Sequence, residues 1–235
     1  KGVDGPGAFG GSGVIQDGLL TPRAVRNGGY VCFALAAAVG GVLIYAAGWV
    51  VAVLGAAGLA LGYLYTGKPG PYKYLALGEL GVFAAMGLLM VWGAYYVQVG
   101  RLDTLPLLYA VPVGLLVVSI LHANNIRDIE HDRRVGIRTI PILLGRRVTK
   151  VSYAVFVLGA YAWIGGMVAL GLAPITTAAV LLAFPAAVPV LRRILRARND
   201  AADPALAPVD VLSAKHHMVF GLLLAVGVVA ARLLG

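Results

Sequence analysis

Seven long apolar runs dominate this sequence and limit the folds open to it. A membrane-spanning helix needs about 20 consecutive apolar residues, because the hydrocarbon core of a bilayer is about 30 Å thick. The runs lie at residues 28–47, 49–65, 76–98, 105–123, 151–171, 174–191 and 213–231. The first two are separated only by the small residues around Gly48, which predicts a tight helical hairpin. The sequence therefore predicts an all-α, multi-pass transmembrane bundle with about seven helices.

The charged residues are few and lie between the apolar runs. Only 12% of the 235 residues are charged, whereas a soluble domain carries about 25%. If the chain crosses the membrane seven times, 17 of its 19 Lys and Arg residues lie on one side, and only Arg101 and Arg232 lie on the other. By the positive-inside rule the crowded side is cytoplasmic. The net charge of +9 thus indicates a lipid bilayer as partner, and no basic patch interleaved with aromatic residues points to nucleic acid.

An acidic stretch directly follows the run at 105–123. If the helix continues, Asn124, Asp128 and Asp132 lie one turn apart, since four residues advance a helix by about 400°. Two carboxylates one turn apart repel each other, and a divalent cation relieves that repulsion. Mg²⁺ typically takes one or two carboxylates together with phosphate oxygens of a substrate. This pattern predicts a magnesium site at Asp128 and Asp132, whereas the alternative is that they pair with neighbouring arginines on a solvated helix end.

Cationic residues on the same predicted face can complete a site for a diphosphate. Lys68 and Lys73 lie in the loop after the second run, and Arg138 follows the acidic stretch. Together with Mg²⁺ these side chains could clamp a diphosphate. The alternative interpretation is that they only set the topology of the chain. We favour that simpler role for the four arginines between 192 and 198.

Several segments carry a resemblance to a known family. Asn124-Asn125-Ile-Arg-Asp128-Ile-Glu-His-Asp132, with the loop that follows to Thr139, looks like a second aspartate-rich motif. Tyr65-Thr-Gly-Lys68-Pro through Tyr74, Leu-Gly-Glu-Leu at 77–80 and Tyr-Tyr-Val-Gln-Val-Gly at 95–100 match further motifs. In combination these segments resemble the UbiA superfamily of intramembrane aromatic prenyltransferases. Within it they are similar to the 1,4-dihydroxy-2-naphthoate prenyltransferases of menaquinone synthesis and their vertebrate relatives.

The resemblance implies a nine-helix fold with a first aspartate-rich motif at the end of its second helix. Lys-Gly-Val-Asp at residues 1–4 looks like the last part of that motif, which makes Asp4 a third expected metal ligand. On this interpretation residues 1–235 form a single prenyltransferase domain that lacks its first two helices. The chain then holds seven of the nine helices.

The resemblance also implies a reaction and roles for individual residues. Mg²⁺ held by Asp128, Asp132 and the first motif would bind a polyprenyl diphosphate, and Lys68, Lys73 and Arg138 would neutralise the leaving pyrophosphate. The allylic carbon–oxygen bond would ionise, and an aromatic acceptor would attack the cation. Tyr65 would stabilise that cation through its ring face or orient the acceptor. Asn124 and Asn125 are expected to contact the acceptor or metal-bound water, whereas His122 is expected to pack between helices.

Other functions stay open at this level. One is a UbiA-type enzyme with another acceptor, such as 4-hydroxybenzoate; the Asn-Asn-x-Arg-Asp and Leu-Gly-Glu segments favour the naphthoate type, but the choice of acceptor depends on the shape of the pocket. A transporter or channel is a second class, but no charged residue lies in the middle of a run and no inverted repeat is visible. A structural membrane subunit would explain the hydrophobicity and not the acidic stretch. The expected location is a prokaryotic cell membrane, with the active site facing the cytoplasm.

Overall fold

The computed structural model describes residues 13–15, 17–67, 69–198 and 203–234. Two predicted site residues, Asp4 and Lys68, lie outside the described residues. The described chain is almost entirely helical, which confirms the predicted all-α class. Its elements are α1 (Pro22–Ala47), α2 (Trp49–Thr66), α3 (Gly78–Val99), α4 (Thr104–Arg127), α5 (Ile129–Arg134), α6 (Ile140–Ala169), α7 (Ile175–Arg196) and α8 (Val209–Leu234).

Seven segments are long and apolar enough to cross a membrane, which confirms the predicted number. These are α1, α2, α3, α4, α6, α7 and the segment Pro204–Leu234 that contains α8, whereas α5 is too short. α1 and α2 form the predicted hairpin, joined by Gly48 alone. Gly48 has a φ of 91°, a conformation that side-chain-bearing residues rarely adopt. The glycine therefore makes a one-residue connection between two spans possible.

The core lies where α4, α6, α7 and α8 meet. Tyr153 of α6 is fully buried there, and its hydroxyl lies 2.8 Å from Oγ of Ser213 in α8. Farther along α8, Gly227 lies against the backbone of Thr176 in α7. The Thr176 hydroxyl donates to the Gly227 carbonyl oxygen at 2.6 Å. Large apolar side chains elsewhere, such as Tyr45 and Leu233, point outward, as expected for surfaces in contact with lipid.

Two glycines let α3 and α4 cross closely. A Cβ on Gly87 would lie 2.9 Å from the Cα of Gly114, so neither helix can carry a side chain at the crossing. Residues 83–89 of α3 form a π-helical turn at this place. The two helices are antiparallel, and eight residues from the crossing bring Glu79 of α3 opposite His122 of α4. At 1.5 Å per residue, that is about 12 Å toward the end of the bundle that carries the acidic stretch.

The predicted start of the fifth span was wrong. The hydrophobic run suggested residue 151, but α6 begins at Ile140 and bends at Gly145, which has a φ of 77°. The added turns hold Arg146 and Lys150, both buried. Arg146 Nη2 donates to Glu130 at 2.8 Å, and Nζ of Lys150 donates to the Ala197 carbonyl at the end of α7. These hydrogen bonds compensate the cost of burying the two cations. Residues that a hydropathy profile assigns to a loop therefore lie inside a helix.

An apolar groove of about 790 Å³ opens between α1, α2 and α3. Small residues line much of it, including Gly40, Gly55 and Gly93. It lies along the half of these helices that is remote from the acidic stretch, since its lining ends at Leu59 on α2 and begins at Ala85 on α3. The groove therefore extends from the middle of the bundle toward the opposite face.

Candidate active site

The acidic stripe of Asn124, Asp128 and Asp132 keeps its predicted spacing. The N–H of Asp128 donates to the Asn124 carbonyl at 3.0 Å, and the N–H of Asp132 donates to the Asp128 carbonyl at 2.9 Å. The helical repeat thus continues through the junction of α4 and α5, although Asp128 itself departs from helical geometry. The three side chains are partly buried and lie on successive turns.

Arg127 is the centre of the polar contacts on this stripe. Its Nε donates to Oδ1 of Asp128 at 2.8 Å and its Nη2 to Oδ2 of the same residue at 3.1 Å. Nη2 also donates to the side-chain oxygen of Asn124, and Nη1 donates to Oδ2 of Asp210 at 2.7 Å. Asp210 lies in the first turn of α8 and was not predicted as part of the site. The structure therefore brings a third carboxylate to the stripe through a shared arginine.

Glu130 lies off the stripe. Its carboxylate accepts from Arg146 at 2.8 Å, and Arg133 lies 4.0 Å away. The hydrogen bond from Arg146 holds the pKa of the Glu130 carboxyl below its ordinary value. Glu130 thus belongs to an ion pair away from the stripe, whereas the pairing of an aspartate with a neighbouring arginine, the alternative to a metal site, is present at Asp128 through Arg127.

Tyr65 and Lys73 form a second group at the same end of the bundle. The Lys73 ammonium lies 5.5 Å from the centre of the Tyr65 ring, within the range of a cation–π contact. The Tyr72 ring packs edge-on against Tyr65 at 5.5 Å, and its hydroxyl donates to the Leu61 carbonyl at 2.9 Å. Burial raises the pKa of the Tyr72 phenol above its ordinary value. Tyr65 is thus held by an aromatic edge and a cation at the end of α2.

Backbone hydrogen bonds join the two loops that carry the predicted cations. The N–H of Ala76 donates to the Arg138 carbonyl at 2.9 Å, and the N–H of Arg138 donates to the Tyr74 carbonyl at 3.4 Å. The result is a single parallel bridge between Leu75 and Arg138. It requires Ala76 to adopt a φ of 58°, which is uncommon for a residue with a side chain. Lys73 and Arg138 therefore belong to one connected surface.

A buried polar network lies beneath these loops. Oε1 of Glu79 accepts from Nδ2 of Asn125 at 2.9 Å and lies 3.1 Å from Nδ1 of His122. Both Glu79 and His122 are almost fully buried. The network joins the predicted residue Asn125 to His122 through Glu79, and the prediction from the sequence had left Glu79 and His122 out of the site.

The hydrogen bonds of His122 indicate where its protons lie. The Ser152 hydroxyl donates to the Thr149 carbonyl at 2.9 Å, so its oxygen is left to accept from Nε2 of His122, also at 2.9 Å. Nε2 lies 3.2 Å from the same carbonyl oxygen, which can only accept. Nδ1, on the other side of the ring, faces Oε1 of Glu79 at 3.1 Å. Both ring nitrogens therefore have a polar partner inside the bundle.

We expect Glu79→Ala to destabilise the protein strongly. The change leaves the Nδ1 of His122 and the Asn125 amide buried without their partner, at a cost of about 1–3 kcal/mol for each group. Thermal unfolding in detergent measures the effect. Glu79→Gln should have an intermediate stability, because Asn125 and His122 contact the same oxygen of Glu79 and a single amide atom at that place can keep only one of the two hydrogen bonds. Asp17→Ala is the control, because Asp17 is exposed before α1 and the substitution removes an acidic side chain without leaving a buried group unpaired. Equal unfolding temperatures for Glu79→Ala and the control would contradict a structural role for this network.

The described residues offer oxygen donors for a hard cation. Within residues 13–15, 17–67, 69–198 and 203–234, no group of three or more His, Cys, Asp or Glu side chains is arranged to hold a metal by itself. Asp128 and Asp132 nevertheless provide two carboxylates on one helical stripe. Mg²⁺ commonly uses one or two carboxylates and completes its octahedron with water and phosphate oxygens. The donor set therefore fits Mg²⁺ in the presence of a diphosphate.

Known proteins are similar in sequence to this chain over more than half of its length. The chain is 29% identical over 232 residues to the 1,4-dihydroxy-2-naphthoate octaprenyltransferase of Bacillus subtilis, covering 97% of this chain and 72% of that protein. It is 37% identical over 174 residues to the UbiA prenyltransferase domain-containing protein 1 of Danio rerio, and 39% identical over 142 residues to that of Mus musculus. These matches span 74% and 59% of this chain but only 49% and 42% of the vertebrate proteins.

A model of the UbiA prenyltransferase family matches residues 13–219. The matched range contains both loops, the acidic stripe, the Glu79 network and Asp210. The stripe and the two loops lie at one end of a bundle of seven apolar spans. The chain therefore belongs to the UbiA prenyltransferase family, a family of prenyl-transferring membrane enzymes.

Proposed function

We propose that this protein transfers a polyprenyl group from a polyprenyl diphosphate to an aromatic acceptor, in a Mg²⁺-dependent reaction. The observation that carries the proposal is the bridge between Leu75 and Arg138, which joins the Lys73 loop to the loop that follows the acidic stripe. Cations for a leaving group and carboxylates for a metal thereby belong to one surface. The proposed acceptor is 1,4-dihydroxy-2-naphthoate, as in the name of the Bacillus subtilis relative, and the proposed pathway is menaquinone synthesis.

In this proposal Asp128 and Asp132 hold Mg²⁺ together with Asp4, and the metal supplies positive charge for the leaving pyrophosphate. Lys68, Lys73 and Arg138 bind the diphosphate oxygens, which lowers the barrier to breaking the allylic carbon–oxygen bond. Asn124 and Asn125 orient the substrates. The Tyr65 ring has two faces, and Lys73 lies over one of them. We assign the other face to the allylic cation, which aromatic rings stabilise.

The apolar groove between α1, α2 and α3 supports a long prenyl donor. It lies on the helices whose opposite ends carry Tyr65 and Glu79. A prenyl chain whose diphosphate is bound at the loops would extend along these helices into the groove. An apolar lining also keeps water away from a reactive cation.

The test is a comparison of acceptors with the full-length enzyme in lipid nanodiscs. We expect prenylated product from 1,4-dihydroxy-2-naphthoate and polyprenyl diphosphate, and loss of product when EDTA removes divalent cations. We expect turnover of 4-hydroxybenzoate to be at most a small fraction of that rate. A higher rate with 4-hydroxybenzoate would identify the alternative acceptor class, and metabolite transport without pyrophosphate release would contradict the proposal.

We further propose that the site faces the cytoplasm of a prokaryotic cell. Cys32 is the only cysteine of the chain, so a Cys32→Ser background allows single-cysteine labelling. Ala205→Cys lies on the cation-rich side and should react only after a membrane-impermeant reagent gains access to the cytoplasm. Leu170→Cys, at the opposite end of α6, should react in intact cells. The reverse labelling pattern would contradict the orientation.

A further inference from the structure

Asp210 lies beside the acidic stripe although it is distant from it in sequence. This residue comes from α8, 83 positions after Arg127, and yet its carboxylate lies 2.7 Å from Arg127 Nη1. The Arg127 side chain is only 8% exposed, whereas the side chains of Asp128 and Asp210 are 23% and 25% exposed. A nearly buried guanidinium is thus bound between two carboxylates that solvent can reach.

Arg127 occupies both oxygens of the carboxylate that is proposed to bind metal. Its Nε and Nη2 contact Oδ1 and Oδ2 of Asp128, and only Nη1 is turned to Asp210. A divalent cation on Asp128 and a guanidinium on both of its oxygens repel each other. Metal binding therefore weakens the contact between Arg127 and Asp128.

Weakening that contact is costly unless Arg127 keeps another anion. A buried charge that loses its only partner strongly destabilises a protein. Asp210 is the second carboxylate that Arg127 contacts, so the guanidinium stays paired when Asp128 turns to a metal. The energy needed to free Asp128 is then lower than it would be for an isolated ion pair.

We propose that Asp210 is a positioning residue of the metal site, which retains Arg127 and thereby releases Asp128 for a divalent cation. This inference rests on the proposed function, since it assumes that Asp128 is a metal ligand. It assigns no contact between Asp210 and the substrates. It also extends the site to α8, the last helix of the described chain.

The test measures Mn²⁺ binding to the full-length protein by electron paramagnetic resonance, with inorganic pyrophosphate present. Substitution of groups that orient a metal ligand typically weakens metal binding by about 10–100-fold, so we expect Asp210→Asn to weaken Mn²⁺ binding by about 10-fold. Asp210→Glu should restore most of the affinity, because it keeps the charge. At saturating Mg²⁺ the KM for the prenyl donor should stay near that of the wild type.

Two further variants separate this role from a general structural one. Asp103→Asn is the matched control, since Asp103 pairs with Arg101 at 2.8 Å in the loop at the opposite end of α4. It should leave Mn²⁺ binding unchanged. The double variant Arg127→Gln/Asp210→Asn should bind Mn²⁺ more tightly than Asp210→Asn, because the cation that competes for Asp128 is gone.

The outcomes distinguish the two proposals. Normal Mn²⁺ affinity in Asp210→Asn, or no gain in the double variant, would overturn the role of Asp210 and leave the proposed function intact. A wild-type protein that binds no Mn²⁺ with pyrophosphate would overturn the proposed metal site itself. If Asp210→Asn fails to fold, the comparison of Arg127→Gln with Arg127→Gln/Asp210→Asn decides. The two variants should bind Mn²⁺ equally, because Asp210 acts only through Arg127, and weaker binding by the double variant would overturn the proposal.

Discussion

Asp128→Asn and Asp132→Asn are each expected to lower kcat for prenyl transfer by at least about 100-fold, the scale on which enzymes lose rate when one electrostatic contact to a transition state is removed. Each substitution keeps the size of the side chain and removes one carboxylate from a cation that would balance the charge of the leaving group. Product formation by purified full-length enzyme at saturating Mg²⁺ measures the effect. The expected loss is in turnover, with protein yield and unfolding temperature near those of the wild type.

Glu130→Gln is the matched control for this experiment. Glu130 lies between the two aspartates in sequence but pairs with Arg146 rather than lying on the stripe. Its substitution should leave kcat within about twofold, because Glu130 is assigned no contact with metal or substrate and a glutamine amide oxygen can still accept from Arg146. Normal Mg²⁺-dependent turnover in both aspartate variants would exclude them as ligands. Loss of folded protein in Asp128→Asn, with kcat unchanged for what remains, would instead support a purely structural pair with Arg127.

Gly227→Ala is expected to destabilise the bundle by about 2 kcal/mol or more, although it adds a single methyl group. A Cβ at Gly227 would lie 2.6 Å from the Thr176 carbonyl oxygen and 2.8 Å from the Thr177 Cα. Both are backbone atoms, which cannot rotate away as a side chain can. The contact between α7 and α8 must therefore open, and the hydrogen bond from Thr176 to the Gly227 carbonyl is strained with it.

The same helix offers a control for that experiment. Gly221 of α8 has no heavy atom within 4 Å of the place where its Cβ would lie. Gly221→Ala should be neutral or stabilising, because the helical conformation is about 1 kcal/mol more favourable for alanine than for glycine. Thermal unfolding in one detergent compares the two variants. Similar unfolding temperatures would show that α7 and α8 do not pack as closely as described.

Hydropathy located all seven spans because lipid imposes one simple requirement, a long apolar helix. Hydropathy placed the start of α6 too late in the sequence, for a physical reason. Arg146 and Lys150 look like loop residues in a hydropathy profile. Inside the bundle, however, Arg146 donates to the Glu130 carboxylate and Lys150 donates to the Ala197 carbonyl at the end of α7. Such compensation involves residues 16 and 47 positions away, and no local pattern reveals it.

The candidate site was likewise predictable only in part. The stripe from Asn124 to Asp132 follows from helical spacing alone, so it was predictable. The positions of Glu79 and Asp210 depend instead on how the helices pack. Glu79 lies eight residues from the glycine crossing of α3 and α4, and Asp210 lies in the first turn of α8. The one sequence signal for Glu79 was an acidic residue at the edge of an apolar run, which is unusual enough in a membrane protein to suggest a buried partner.

The bridge between Leu75 and Arg138 has a consequence for how such enzymes diverge. Its hydrogen bonds use only N–H and C=O groups, which every amino acid except proline provides in full. Side chains on both loops can therefore be exchanged during evolution without altering the distance between the loops. Preference for a new acceptor or a longer donor can arise by substitution of these side chains while the backbone bridge between the loops stays unchanged. Proline at position 76 or 138 is the change that this arrangement should not tolerate.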